Sequence, residues 1–523
     1  MPDLPDQTDV LIVGAGPTGL AAANLLAADG VATLVVDRNA GPLDLPRAVV
    51  IDDEGCRTLA AAGLAAPLRK IVRPAEGARY LDEAGRVVGA VGPGAVEYGW
   101  PKRSYFHQPD LEALLRDGLA RFAAARLDFG TEVTGFGQDA AGVTATLRLP
   151  GGVAEVRAKV MVAADGARSP TRAALGVDFP GEAYPQDWIV LDLACDPDDE
   201  PVSKFHCDPA RPWVSIPTPF GGRRYEFMLL DGETREEMLR PETLRRLLAP
   251  VRPLPPEDII RAVVYRFEAR TAAAWGRGRV WLAGDAAHLT PPFAGQGMNA
   301  GLRDAHNIAW KAARVVRGAD PALLASYEAE RREPARAMVR LAVAMGEVVM
   351  PVGAAKSLLR DALMAGLDRF PEARDYVVGM RFKPPPRYDR GLFIGLDDPA
   401  QPPASLIGRM VPNPTLWTAG GETPLDDLLG PGFALLAQDA AARSWLAAAD
   451  LTGWPVPVRP VPLRPDAGAA DPEGFRPLRA HRDQVLLIRP DRYALGAFAP
   501  EDATAFVRDL SGRIEASALG GRR

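Results

Sequence analysis

The chain has 523 residues, 47% hydrophobic and 24% charged, a balance ordinary for a folded globular protein and long enough for three or four folding units. Its net charge is −6 with no long basic run, which argues against nucleic acid or an anionic membrane as partner. No apolar run reaches the roughly 18 residues a membrane span needs, and the polar, acidic start "MPDLPDQTDV" is unlike a signal peptide, so a cytoplasmic location is expected.

In chain order, the first informative stretch is "TDVLIVGAGPTGLAAANLLAADGVATLVVDR". Val10 to Val13 reads as a buried parallel strand, Leu20 to Ala28 as a helix stopped by Gly30, and Val31 to Val36 as a second strand. Between them, Gly14, Gly16 and Gly19 have the G-x-G-x-x-G spacing: a tight turn, a close backbone approach for a pyrophosphate, and close helix–strand packing. The helix N-terminus offers free N–H groups to the phosphates. Asp37 follows where a carboxylate meets a ribose hydroxyl, which disfavours a 2′-phosphate and points to FAD or NAD.

Two later stretches repeat a simpler theme. "AKVMVAADGARSPTRAALG" predicts a strand ending at Asp165-Gly166 and then a helix. "GRVWLAGDAAHLTPPFAGQGMNAGLRDAHNIAWKAARVV" predicts a strand over Val280 to Ala283 ending at Gly284-Asp285, then a helix from Met298. Ligands of open α/β sheets gather at the carboxyl ends of strands, where both aspartates fall. Pro291 and Pro292 stiffen the intervening loop without offering N–H groups, and Gly295 and Gly297 let backbone approach a flat ring. His288 is read as a packing residue.

Residues 176–279 alternate in the manner of an antiparallel sheet, expected to cover the cofactor and bind substrate. Candidate substrate contacts there are His206, Arg211, Tyr225 and Tyr265. Alternation allows at most one of Arg223 and Arg224 to face the pocket. Residues 384–405 are Pro-rich and aperiodic and read as a linker, and 406–523 as a small α/β unit. Three scattered cysteines (Cys56, Cys195, Cys207) and five dispersed histidines predict no disulfide and no metal site, with Cys56 and Cys195 as buried apolar residues. No second G-x-G-x-x-G sits between a strand and a helix and no CxxC occurs, which argues against a disulfide reductase.

The three segments in this order resemble the FAD-dependent aromatic hydroxylases, flavoprotein monooxygenases with the p-hydroxybenzoate hydroxylase fold. "PRAVVIDDEGCRTL", "GWPKRSYFHQP", "DWIVLDLACDP", "CDPARPWVS" and "RRYEFM" resemble most the branch acting on 3-(3-hydroxyphenyl)propionate, and the likeness is weakest after about residue 400. The fold implied is α/β: a Rossmann-type FAD-binding domain (1–175 and 280–383), an antiparallel-sheet substrate domain (176–279) and a thioredoxin-like C-terminal domain without redox cysteines (406–523). The cofactor implied is non-covalent FAD, with NADH or NADPH as co-substrate. By resemblance, Gly14, Gly16 and Gly19 line the pyrophosphate, Asp37 and Arg38 the adenosine side, and Arg47 and Gln108 the phosphates and ribityl chain. Asp285 holds the ribityl or pyrophosphate region, and Asp165 supports the groove. Gly297, Met298 and Asn299 turn N–H groups to the flavin pyrimidine, and Pro292 sits beside the ring near the reacting carbon. The activity implied is NAD(P)H- and O2-dependent hydroxylation of a phenol, ortho to its hydroxyl, with Arg211 favoured to grip a substrate carboxylate. A polyketide or antibiotic hydroxylase, and a flavin-binding sequestration protein without turnover, are the alternatives. A homodimer is among the assemblies left open.

Overall fold

The computed structural model describes residues 4–43, 46–349, 383–418, 421–463 and 472–516. The strand Gln7–Val13 is buried from Val10 onward and lies parallel to Thr33–Asp37 on one side and Gly152–Ala163 on the other. A strand buried on both faces needs a continuous apolar run, and "VLIV" supplies it. The crossover between the first two strands is the helix Pro17–Ala28, which starts three residues earlier than its apolar run suggests because Pro17 is preset for a first helical position. Val280–Leu282 adds parallel to the far side of Gly152–Ala163, and Ala125–Phe129 parallel to Thr33–Asp37. The two Asp-bearing strand ends, Ala163 and Leu282, are register partners and reach the same edge of the sheet.

A second, mostly antiparallel sheet stands over that edge. Among the described residues its order is His288–Leu289, Ile259–Thr271, Gly181–Leu193, Arg223–Met228, Trp213–Pro217, Val202–His206, Gly77–Leu81, Val87–Val91. Most of its strands come from residues 176–279, and segments outside that range complete it at both edges. Gly77–Leu81 pairs in parallel with Val202–His206, and His288–Leu289 closes the other side. Strand pairings over such sequence separations leave no local trace. A three-stranded ribbon of Val50–Asp52, Arg103–Phe106 and Val72–Pro74 bridges the two sheets.

The C-terminal unit has a mixed sheet, Val458–Pro462, Phe433–Ala437, Val485–Ile488, Ala494–Phe498, in which the first pair is parallel and the others antiparallel. Residues 384–405 are not a solvated tether: Tyr388, Leu392 and Phe393 are buried, and Tyr388 stacks on Tyr493 at 4.1 Å. The aromatic content of "RYDRGLFIG" outweighs its prolines. Buried charges join the units. Glu330, on the helix Ala325–Val349, accepts from Arg489 (2.8 Å) and Lys311 (2.7 Å), and Arg57 pairs with Asp426 at 2.7 Å. The 350–382 part of the expected flavin-binding half lies outside the described residues. Cys56 is buried as expected. Cys195 is exposed, just past the strand Gly181–Leu193, and its Sγ donates to Asp258 at 3.2 Å. No helix among the described residues is long and apolar enough to cross a membrane.

Candidate active site

Between the two sheets a cleft runs from the glycine-rich turn to the underside of the antiparallel sheet. At its first end, Gly14 has φ +106°, and a Cβ there would lie 2.3 Å from the Ala164 carbonyl oxygen. A Cβ at Gly19 would lie 2.0 Å from the Gly14 carbonyl oxygen. Gly16 lines the cleft, and a Cβ there would meet nothing within 4 Å. Two of the three glycines therefore serve packing, and the third faces open space. The helix Pro17–Ala28 has no side-chain cap, so its N-terminal N–H groups are available to an anion in the cleft.

Asp37 is half-buried and locks the loop, its Oδ2 accepting from the Ala15 N–H at 2.8 Å and its Oδ1 from Asn39. Arg38 beside it is exposed, and neither residue borders the main cleft. Asp165 Oδ2 accepts from the Thr171 N–H at 3.1 Å, and its Oδ1 is buried without a hydrogen-bond partner. Arg172 lies in the helix that follows Asp165. It donates to the Ala286 and Ala167 carbonyls, at 2.9 and 2.8 Å, and so ties the two Asp-bearing strand ends together. Asp285 follows the buried strand end and is exposed to the cleft. Burial raises its pKa against the opposing pull of Arg47 and His288. Arg47 also borders the cleft, and Gln108 does so while its Oε1 accepts from the Ala48 N–H at 2.7 Å.

At the other end the chain turns through Pro292–Ala294 and Gly295 (φ +63°) into the helix Gly297–Val316. That helix also lacks a side-chain N-cap, and Pro292, Gly295, Gly297 and Met298 all border the cleft. Asn299 works differently from its neighbours. Its amide clamps the loop to the ribbon, donating to Val50 and Gly295 carbonyls (3.1 and 2.8 Å) and accepting from the Asp52 N–H (3.0 Å). Phe293 packs edge-on against Trp188 and Phe267, 6.0 and 5.6 Å between centroids, which makes this wall apolar. His288 is buried and bonded through Nε2 to Asp304 at 2.6 Å, in keeping with a packing role.

These features fit FAD. Two uncapped helix N-termini face one cleft, a carboxylate with an unpartnered oxygen and a second one open to the cleft stand at adjacent strand ends, and the one glycine of the motif that need not pack leaves room for a ligand. Arg47, Gln108, Asp285 and the backbone of Gly297 and Met298 would hold the cofactor.

The substrate candidates are corrected. Arg211 points away from the cleft: its guanidinium forks onto Glu233 (2.8 Å from Nη1) and donates to the Met228 carbonyl at 2.7 Å. Tyr225 is buried on the far face, its hydroxyl donating to Asp196 at 2.9 Å and its pKa pushed up by burial. His206 stacks on Trp213 (3.3 Å, 8°), and burial with Lys204 and Arg223 nearby lowers its pKa to about 3. Tyr265 accepts from Arg261 at 3.0 Å and does not border the cleft. For His206 and Tyr225 the physical reason is strand parity, which turns them to the face opposite Phe205 and Glu226; Arg211 precedes its strand, and Tyr265, though on the cleft-side face, lies outside the cleft lining. The cleft face carries Phe205, Val214, Ile216, Arg224 and Glu226.

Arg224 is the one of the adjacent arginine pair that faces inward. It donates to both Asp192 oxygens (2.7 and 3.1 Å), to the Arg47 carbonyl (2.6 Å) and to the Pro46 carbonyl. Arg261 joins the same Asp192 at 3.1 Å and the Pro46 carbonyl at 2.7 Å. The roof thus grips the loop that presents Arg47. Glu226 is buried, with Arg224 no nearer than 3.8 Å, and its pKa is raised by burial. A signal for these residues was present in "RRYEFM": Tyr and Phe share one parity, Arg224 and Glu226 the other.

Residues 7–342 match the family model described as FAD binding domain, and residues 408–513 the HcaD C-terminal domain. The chain is 40% identical to a 3-(3-hydroxy-phenyl)propionate/3-hydroxycinnamic acid hydroxylase of Mycolicibacterium smegmatis, over 96% of this chain and 93% of that one. It is 37% identical to a hydroxylase of the same name from Comamonas testosteroni, over 97% of each chain. The crystal structure of aklavinone-11 hydroxylase with FAD and aklavinone superposes with a TM-score of 0.78, at 28% identity over 98% of this chain and 99% of that one. The chain belongs to the FAD-dependent aromatic hydroxylases, a family of flavoprotein monooxygenases.

Proposed function

We propose that this protein is a single-component monooxygenase that uses NAD(P)H and O2 to hydroxylate a single-ring phenol bearing a short acidic side chain, ortho to the existing hydroxyl, in aromatic catabolism. The observation that carries the reading is the wall of the cleft facing Pro292. It is apolar across Phe205, Val214 and Ile216, and it holds one buried carboxylate, Glu226, with no hydrogen bond of its own. The names of the two bacterial relatives support the same substrate class. Bound FAD supplies hydride uptake from the nicotinamide and activation of O2. The chain's part is placement and exclusion. Pro292 and Phe293 keep N–H groups and water from one face of the site, and Asp285 and Arg47 hold the cofactor's polar length. Glu226 accepts the phenolic proton, which raises the nucleophilicity of the ring, and its raised pKa brings it closer to the working pH of a base. The dryness of the Phe293 cluster limits unproductive loss of reducing equivalents. We keep residues 406–523 as a thioredoxin-like unit with a structural role.

The second reading, a hydroxylase of multi-ring substrates, is favoured by the solved aklavinone-11 hydroxylase complex. A panel decides between them: NADH and NADPH oxidation followed with simple phenols, hydroxyphenyl acids and anthracyclinone-type rings, with product masses. Stimulation by a hydroxyphenyl acid with one oxygen added ortho supports the first reading. Activity on fused rings alone overturns it, and FAD binding without stimulated oxidation by any of them marks a sequestration protein.

A further inference from the structure

Three arginines border the cleft: Arg47, Arg103 and Arg224. Arg224 is committed to Asp192 and two backbone carbonyls, and Arg47 stands beside Asp285 at the cofactor end. Arg103 begins the ribbon strand Arg103–Phe106, and its side chain makes no hydrogen bond or ion pair among the described residues; its Nε is buried and unsatisfied. Lys383, which borders a smaller cavity together with Arg103, is already bonded to Asp52 and Glu54 at 2.9 Å each. A half-buried guanidinium with an orphan donor, turned toward an apolar cleft, is incomplete without an anion.

The register of the roof places this group. Tyr80 pairs with Phe205, Phe205 with Val214, and Val214 with Glu226, so four residues form one row across four strands on the cleft side. Tyr80 and Phe205 are stacked at 5.1 Å. Arg103 borders both the main cleft, beside Phe205, and a smaller cavity walled by Ala78 and Tyr80, so it lies at the Tyr80 end of the row. Three strand spacings separate Tyr80 from Glu226, roughly 14 Å between backbones. The reach of the two side chains shortens this to about one aromatic ring plus a short chain. The row therefore has a cation at one end, a carboxylate at the other and apolar surface between.

We infer that Arg103 is the residue that selects a substrate with an anionic tail. It binds the tail carboxylate in fork geometry while the phenolic hydroxyl is directed along the row to Glu226. This rests on the reading of the protein as a phenol hydroxylase, and it deepens that reading by fixing the direction in which the substrate lies.

The test compares 3-(3-hydroxyphenyl)propionate with its uncharged counterpart, 3-(3-hydroxyphenyl)propan-1-ol, on the full FAD-loaded chain. Readouts are kcat/KM, the dissociation constant from the flavin difference spectrum, and bound FAD per chain. For Arg103→Met, the preference for the acid over the alcohol is expected to fall by about 10-fold or more, mainly through KM and the dissociation constant. Arg103→Lys is expected to keep part of the preference, since it keeps the charge and loses the fork. Glu226→Gln, at the opposite end, is expected to lower turnover while leaving the acid-to-alcohol ratio near its original value. An unchanged ratio in Arg103→Met, an equal loss on both compounds, or loss of FAD from both Arg103 variants overturns the assignment. Failure of the underlying reading shows earlier and elsewhere: the unmodified protein would hydroxylate neither compound, and Arg103 would lose its role with it.

Discussion

The floor and the roof of the cleft are built on different physical plans. The floor binds through backbone: two uncapped helix ends, tight glycine turns and strand termini that carry aspartates. The roof presents side chains, and among its central strands strand parity decides which of them face the cleft. The turn that shapes the floor tolerates almost no change at its packing glycines, because a Cβ at Gly14 or Gly19 meets main chain. A side-chain site can be re-aimed by exchanging one residue on the inner face, while the outer face, where Arg211 and Tyr225 sit, is free of that demand. Cofactor and substrate recognition are thereby separable in one cleft.

The sharpest way to break this contrast is Gly19→Ala. The added carbon would lie 2.0 Å from the Gly14 carbonyl oxygen, so the helix must move off the first strand. Loss of more than about 3 kcal/mol and of nearly all bound flavin is expected, measured by denaturant unfolding and the flavin-to-protein absorbance ratio. A stable yellow variant would show that the floor is less rigid than its geometry. Arg224→Met comes next, since it removes the tie between roof and floor and leaves the buried Asp192 with Arg261 alone. A stability loss of about 3 kcal/mol is expected in the same unfolding assay, with weaker FAD binding as the Arg47 loop loosens. Unaltered stability would mean that Arg261 is enough.

Asp285→Ala acts on the floor without disturbing packing. FAD affinity should fall by about 1.5–3 kcal/mol, read by titration of the apoprotein, while the unfolding midpoint of that apoprotein holds. The smallest effect is expected on the outer face. Arg211→Met breaks a partly exposed pair with Glu233, which should cost no more than about 1 kcal/mol and change KM for an acidic phenol less than 2-fold. A large, acid-specific rise in KM would restore Arg211 to the site.

The parts of the site written in glycine and proline were legible in the chain itself. Gly14, Gly19 and Gly295 are where they are because the backbone requires them, and such requirements leave a fixed spacing. The same holds for the strands ending at Asp165 and Asp285. His206, Arg211 and Tyr225 were misjudged because a short strand mixed on both faces does not announce which face is inner. Arg211 in addition lies just before its strand, where alternation says nothing. Arg103 was hidden, and Arg224 legible only as one of an adjacent pair, for another reason. Their importance comes from pairings with Asp52 and Asp192 in strands far off in sequence, and from what their guanidinium groups do or do not meet there. The linker was misread because its prolines were weighed and its buried Tyr388 and Phe393 were not.

The buried charges that join Glu330 to Arg489 and Arg57 to Asp426 bear on how this protein can be rebuilt. A cut before residue 406 would strand Arg57 without its carboxylate and Glu330 without its arginine, next to the helix whose N-terminus faces the cleft. A catalytic core made by trimming would therefore carry an unpaired Arg57 in its interior and leave Glu330 to Lys311 alone. A chimaera that borrows another C-terminal unit would have to import matching partners at both positions. In this protein the last hundred residues are not an appendage that can be exchanged, but the counter-ions of the flavin half.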